Sequence, residues 1–220
     1  MSTPRSAIHH RNRRTGSGAS RATILAAAER EFARSGLAGA RTDAIAATAG
    51  VNKALLYYYF KSKQDLYEAV VADQFQEFNR QALAVLNSAG PARAVLFRYV
   101  NLHFDFISAR QRLAPLFQQL MTTGGKPLER LVRKYFVPRS QAFRKLLERG
   151  MRDGEFRRVD GFHAAVSVAA LIVFYFSASQ VLQLFGHPDP YSKANLQRRK
   201  QEVLDFIRYA LFVDPKAPLP

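Results

Sequence analysis

The sequence predicts an all-α protein. Apolar residues recur at helical spacing along most of the 220 residues, and the breaks between these runs are clusters of Gly and Pro. No stretch between turn signals alternates with period two. Composition agrees with a folded chain: 48% hydrophobic and 23% charged residues are ordinary values. The charge balance is not ordinary. Against 17 Asp and Glu stand 33 Lys and Arg, a net charge of +16. That excess says little about fold but points to a polyanionic partner, either nucleic acid or an anionic membrane surface. Residues 1–63 carry eleven basic and three acidic side chains, half of the excess in under a third of the chain. The absence of cysteine excludes disulfides, Cys-based zinc sites and thiol catalysis, and it suits a reducing cytoplasm.

Taken in order, residues 1–17 hold four arginines and no acid, which predicts a disordered basic arm. Ser20 then caps a helix reaching about Ser35, with Ile24, Ala28 and Phe32 as its buried stripe and the run Gly36 to Gly39 as its stop. Thr42 caps a short helix that Gly50 ends. Asn52 caps a second short helix, KALLYYYF. Ser62 opens a longer helix, with Asp65 as its capping-box partner. After the break at Gly90-Pro91, helices are expected over roughly 91–110, 113–122, 127–153, 161–185 and 194–213, and Pro138 divides the third of them.

The stretch from Gly161 to Pro188 contains no charged residue and is long enough to span a bilayer. His163, three serines and two glutamines interrupt it, and both flanks are basic, so it gives no orientation bias. A membrane anchor over 161–185 is therefore the remote reading; the central helix of a bundle is the expected one.

Residues 41–60 carry the most information. Helix, glycine turn and a basic, aromatic second helix is the helix-turn-helix layout. Leu56 and Phe60 share one face and can pack on Ile45; Lys53 and Tyr57 share the other, with the small Ala54 beside them. Spacing and charge admit two readings: a DNA-recognition helix, or a plain three-helix unit whose tyrosines fill space.

Residues 20–70 resemble the N-terminal domain of TetR-family transcriptional regulators. Ala28, Phe32 and Gly36 match its A-x-x-x-F-x-x-x-G helix end. Thr42, Ile45-Ala46, Ala49-Gly50-Val51 and the run LYYYFKSKQDLY follow in the family's order. The resemblance implies that Thr42 and Arg41 meet phosphate, and that Lys53, flanked by Asn52 and Ala54, reaches furthest into the major groove toward guanine. It implies Tyr57 and Tyr59 near the DNA backbone, Lys63 on a phosphate, and Tyr58 packed inside. Leu55 departs from the small or hydroxylated residue usual there, and either a thymine methyl or the interior would suit it.

The implied organisation is a helix-turn-helix domain over 18–78 and a helical effector-binding and dimerisation domain over 79–220. Pocket candidates in the second are Phe97, Arg98, His103, Phe104, Phe117, Phe143 and Phe174, suited to a small apolar or aromatic effector. Dimer candidates are Phe174, Val181, Leu182, Leu204, Ile207 and Leu211. No nucleophile–base set, phosphate loop or metal-ligand spacing is present, so no enzyme, metal or cofactor is expected. The expected protein is a cytoplasmic homodimeric repressor that binds a pseudo-palindromic operator and is released by a small molecule. The alternative is a dimeric DNA-binding protein with no effector.

Overall fold

The computed structural model describes residues 13–111, 113–186 and 189–218, with side chains from Ser20 onward. Among these the regular secondary structure is entirely helical, with one isolated bridge between Phe156 and Phe212. The chain divides into two compact units after Val70.

The first unit holds α1 (Arg13–Gly39), α2 (Thr42–Ala49), α3 (Lys53–Tyr59) and the opening of α4 (Lys63–Leu86). Its core is the predicted stripe of Ile24, Ala28 and Phe32, closed by Ile45, Leu56, Phe60 and Leu66, all nearly solvent-free. The Phe32 and Tyr67 rings meet edge to face with centroids 5.1 Å apart. α1 starts seven residues before Ser20, so Ser20 lies inside the helix and its carbonyl accepts from the Thr23 hydroxyl. Nothing between Pro4 and Ser20 forbids helical backbone, and arginine is a good helix former. Residues 13–17 of the expected arm are therefore helical, while residues 1–12 lie outside the described residues. The stop comes where expected: Gly36 takes φ 65° and ψ 177°, which breaks the helix before one last turn to Gly39.

The second unit contains the rest of α4, then α5 (Ala92–Ser108), α6 (Leu113–Thr123), α7 (Gly125–Leu131), a π-helical turn (Val132–Phe136), α8 (Val137–Arg152), α9 (Gly161–Ser177), α10 (Ser179–Leu184) and α11 (Lys193–Leu211). α5 is the central helix: it packs on α8, α9 and α11 and buries Val95, Leu96, Tyr99, Val100, Phe104 and Ile107. The uncharged 161–185 stretch does not take that place. It divides at Ala178 into α9 and α10, and α9 buries only Val168, Ile172 and Phe176. Among the described residues no helix is long and apolar enough to cross a membrane.

Pro138 divides its segment in a specific way. It lacks an N–H, and its ring would collide with the carbonyl four residues earlier. The preceding turn widens, so that the Val137 N–H bonds to the Val132 carbonyl five residues back, and Pro138 falls in the first turn of α8. The loop from α8 to α9 is tied down from three directions. The Glu155 carboxylate accepts from the Ala92 and Arg93 N–H groups at 2.8 and 3.0 Å and so caps α5. Arg157 N–H donates to Leu211, and the Phe156 ring stacks on Phe212. The 186–192 turn is stitched to α9 by the Tyr175 hydroxyl on the Pro190 carbonyl and the Tyr191 hydroxyl on the Phe176 carbonyl.

Candidate nucleic-acid interface

α2 and α3 are set by two local devices. Gly50 adopts the left-handed conformation (φ 67°, ψ 30°), and the Val51 N–H then returns to the Ala46 carbonyl, ending α2 in a tight turn. Asn52 restarts the chain: its Oδ1 accepts from the Leu55 N–H at 2.7 Å. The seven-residue α3 buries Leu56 with Phe60 just beyond it, and turns Lys53, Ala54, Tyr57 and Tyr58 outward.

Thr42 is the first residue of α2 rather than its cap; Arg41 holds the cap position without a side-chain bond. The Arg41 N–H instead donates to Glu31 Oε1, and its exposed side chain is free to face solvent. The Thr42 hydroxyl lies 3.3 Å from the Tyr57 hydroxyl, joining α2 to α3. Lys53 Nζ lies 2.8 Å from Asp43 Oδ1, both side chains being exposed. The Lys53 hydrogen bond holds the Asp43 carboxyl below its ordinary range, and Asp43 in turn raises the lysine. Thus Thr42, Lys53 and Tyr57 come together on one face with an acid among them that spacing had not marked. Tyr58, expected inside, is 79% exposed, because the interior positions of so short a helix are taken by Leu56 and Phe60. Tyr59 and Leu55 are half-buried, and the Tyr59 ring meets Tyr58 edge-on. The Lys63 ammonium donates to the carbonyls of Ala38 and Ala40 at 3.0 and 3.1 Å, at the C-terminal end of α1.

The second unit holds a cavity of about 300 Å³ lined by residues of α5, the π turn, α8 and α9. Of the pocket candidates, His103 and Phe143 line it. Phe97 packs on Phe212, Phe104 on Phe176 and Phe117 on Phe75 and Phe136. Arg98 bonds to Ser88 and Ala89 at the surface, and Phe174 is 67% exposed. The lining residues that sequence reasoning missed include Tyr99, Phe136 and Arg139. Arg139 had a signal: with Phe136 and Phe143 three before and four after it, it occupies the apolar face of its helix. Burial lowers the Arg139 guanidinium and raises the Tyr99 phenol, and it depresses the His103 imidazole to about 3, helped by the Arg139 charge.

The dimer candidates separate into two groups. Leu204, Ile207 and Leu211 are buried in the core of this chain, whereas Phe174 and Val181 are exposed and Leu182 half-buried. The exposed apolar face of α11 is instead Phe206, Tyr209 and the following Val213. On α9, Phe162, Val166 and Phe174 are exposed at multiples of four residues.

Residues 24–70 match the family model of bacterial regulatory proteins of the tetR family, and residues 91–207 match that of the tetracyclin repressor-like C-terminal domain. The chain is 29% identical over 202 residues to the HTH-type transcriptional repressor NicS of Pseudomonas putida, covering 85% of this chain and 88% of that protein. Among solved structures, its fold is similar to a transcriptional regulator of Saccharomonospora viridis in complex with choline (TM-score 0.72, 23% identity, 90% of this chain and 100% of that one). It is also similar to the regulator FadR of Bacillus subtilis in complex with stearoyl-CoA (TM-score 0.68, 19% identity, 84% and 96%). Relatives and family models alike are DNA-binding transcriptional regulators, not enzymes. The chain belongs to the tetR family of bacterial regulatory proteins.

Proposed function

We propose that the protein is a ligand-responsive repressor that binds a pseudo-palindromic operator as a homodimer. The observation that carries this reading is the shared outward face of Thr42, Lys53 and Tyr57 on a helix-turn-helix whose inner face is fully buried. In this reading Lys53 reads a guanine edge. Asn52 and Ala54 flank Lys53, the small Ala54 allowing close approach to the groove, and Arg41, Thr42, Tyr57, Tyr59 and Lys63 fix the register on the phosphate backbone. Two such helices in successive major grooves require two copies of the chain, and the exposed Phe174 of α9 with Phe206 and Tyr209 of α11 supply apolar side chains for pairing. The cavity supports an effector: a small molecule bound there shifts the population toward conformers that no longer match the operator. The choline and stearoyl-CoA complexes of its structural relatives are in keeping with that role.

Selection of bound DNA from a random pool tests the first part, with Lys53→Ala as the discriminating variant. Loss of preference for the selected site, with unrelated DNA still bound, supports base reading. Equal loss on every sequence overturns it. Sedimentation tests the second part: the wild type is expected as a dimer at low and high salt, and Phe174→Glu with Phe206→Glu as a monomer. A monomeric wild type would overturn the mechanism.

A further inference from the structure

Among the described residues, Arg139 is a cation enclosed in protein with no anion beside it. It is 8% exposed, and among the described residues no carboxylate lies within ion-pair distance of it. Its plane is flanked by the rings of Phe78 and Phe136, 4.9 and 4.7 Å from the guanidinium carbon; the neutral Tyr99 phenol is its polar neighbour, and Nη1 has no hydrogen-bond partner. The acids on the surrounding helices are engaged elsewhere or face solvent. Asp105 is held by Lys200, Glu129 by Arg133 and Glu77 by Arg80, Asp160 caps α9, and Glu148 and Asp73 are exposed. A buried cation retained for packing alone normally brings its own carboxylate, because an uncompensated charge is costly to enclose.

A second orphan lies on the same cavity wall. His103 Nδ1 is buried and unbonded, and its ring packs between Phe78 and Tyr99. The imidazole is neutral near pH 7, so the lining carries a single positive charge, with the Tyr99 hydroxyl and a His103 ring nitrogen as neutral hydrogen-bonding groups. Apart from Ser140, the rest of the wall is apolar, with Phe136, Phe143, Phe162 and Val166 its largest side chains. One cation and three neutral polar groups in one lining suit a monoanion with a hydrocarbon body. A dianionic phosphate would ask for more charge, and an organic cation would be repelled. The volume of about 300 Å³ corresponds to roughly ten water molecules, hence to a molecule of about as many heavy atoms.

We propose that the effector is an amphipathic carboxylate of medium-chain or arylalkyl type, whose head group pairs with Arg139 and whose body lies along Phe143 and Phe162. This rests on the effector-responsive reading of the same cavity and narrows it to one chemical class. The Arg139 fork donates to the carboxylate oxygens, and Tyr99 and His103 complete the coordination of the head group.

The test is calorimetric titration of the full-length protein with octanoate and 3-phenylpropanoate, against 1-octanol, 3-phenylpropan-1-ol and octylamine. The carboxylates are expected to bind at least about tenfold more tightly than the alcohols, with the amine weakest. Arg139→Met should weaken carboxylate binding by roughly 30-fold or more and leave the alcohols within about twofold. Arg139→Lys should retain part of the preference, and it keeps the comparison available if the methionine variant does not fold. Carboxylates no tighter than the alcohols or the amine, carboxylate binding indifferent to Arg139→Met, or no binding of either carboxylate would each overturn the proposal. Fluorescence anisotropy of a selected operator separates the two readings. Release of DNA by the amine or an alcohol would sink the carboxylate assignment and leave effector control standing. Arg139-dependent carboxylate binding without DNA release would support the site and sink effector control.

Discussion

Lys53 Nζ and Asp43 Oδ1 stand 2.8 Å apart across the helix-turn-helix, so the lysine proposed to read the major groove is held by an acid of the preceding helix. In the proposed reading the carboxylate shields that charge from DNA and would be left behind when Lys53 reaches a base. Asp43→Asn should therefore raise affinity for DNA by about two- to fivefold, most visibly at low salt. Anisotropy titrations of wild type, Asp43→Asn, Lys53→Ala and the double variant check this. If Asp43→Asn still strengthens binding when Lys53 is absent, the gain is one of net charge rather than of freeing Lys53.

Lys63 has a role in the fold itself. Its ammonium satisfies two carbonyls at the end of α1. Lys63→Ala should lower stability by about 1 kcal/mol, read from urea midpoints. If Lys63 also grips phosphate in the complex, the same variant weakens operator and unrelated DNA alike and lowers the salt slope of binding by about one. An unchanged slope would leave it a purely structural lysine.

The buried His103 sets a pH dependence. Its imidazole titrates near 3 in the folded chain and near 6.5 when unfolded, so between these values the unfolded state binds a proton that the folded state refuses. Stability from this group is complete above about 6.5 and is lost as pH falls toward 3, at up to roughly 1.4 kcal/mol per pH unit. His103→Gln should flatten the slope between pH 6.5 and 4.5 in denaturant titrations followed by circular dichroism. An identical slope would mean that the carboxylates alone govern acid unfolding.

Gly150 in α8 has no room for a methyl group, since a Cβ there would run into the Phe156 ring. That ring is fixed by its stack on Phe212 and cannot retreat freely. Gly150→Ala should cost about 1–3 kcal/mol despite the better helix propensity of alanine. A gain in melting temperature would show that the loop carrying Phe156 yields.

Much of the first unit was legible because α2 and α3 are short and each has a single apolar face. Ile45, Leu56 and Phe60 could only pack inward, and Gly50 and Asn52 mark the turn by their chemistry. Tyr58 was misplaced because a ring is apolar enough for the core, yet α3 has only two inward positions. The second unit was legible as helices but not in phase. Along α11, Leu204, Ile207 and Leu211 and the neighbouring Phe206, Tyr209 and Val213 both repeat at i, i+3 and i+7, so periodicity alone does not say which row meets the core. The same ambiguity moved most pocket candidates away from the cavity. Arg139 was missed because a buried cation contradicts the usual partition of charge, which is also why it is informative.

The widened turn at Val132–Phe136 makes one wall of the cavity a dislocation in an otherwise regular lattice. It accommodates one residue more than an α turn, so the side chains ahead of it are out of step with those behind by about 100°. Val132, Phe136, Val137 and Arg139 line the cavity from both sides of that misfit. Sliding the surplus residue one place along the helix would rotate one of them out of the lining and bring a neighbour in, at the expense of a single redirected backbone bond. Removing one residue from this turn would anneal the defect, and the same amino acids would then enclose a differently shaped space.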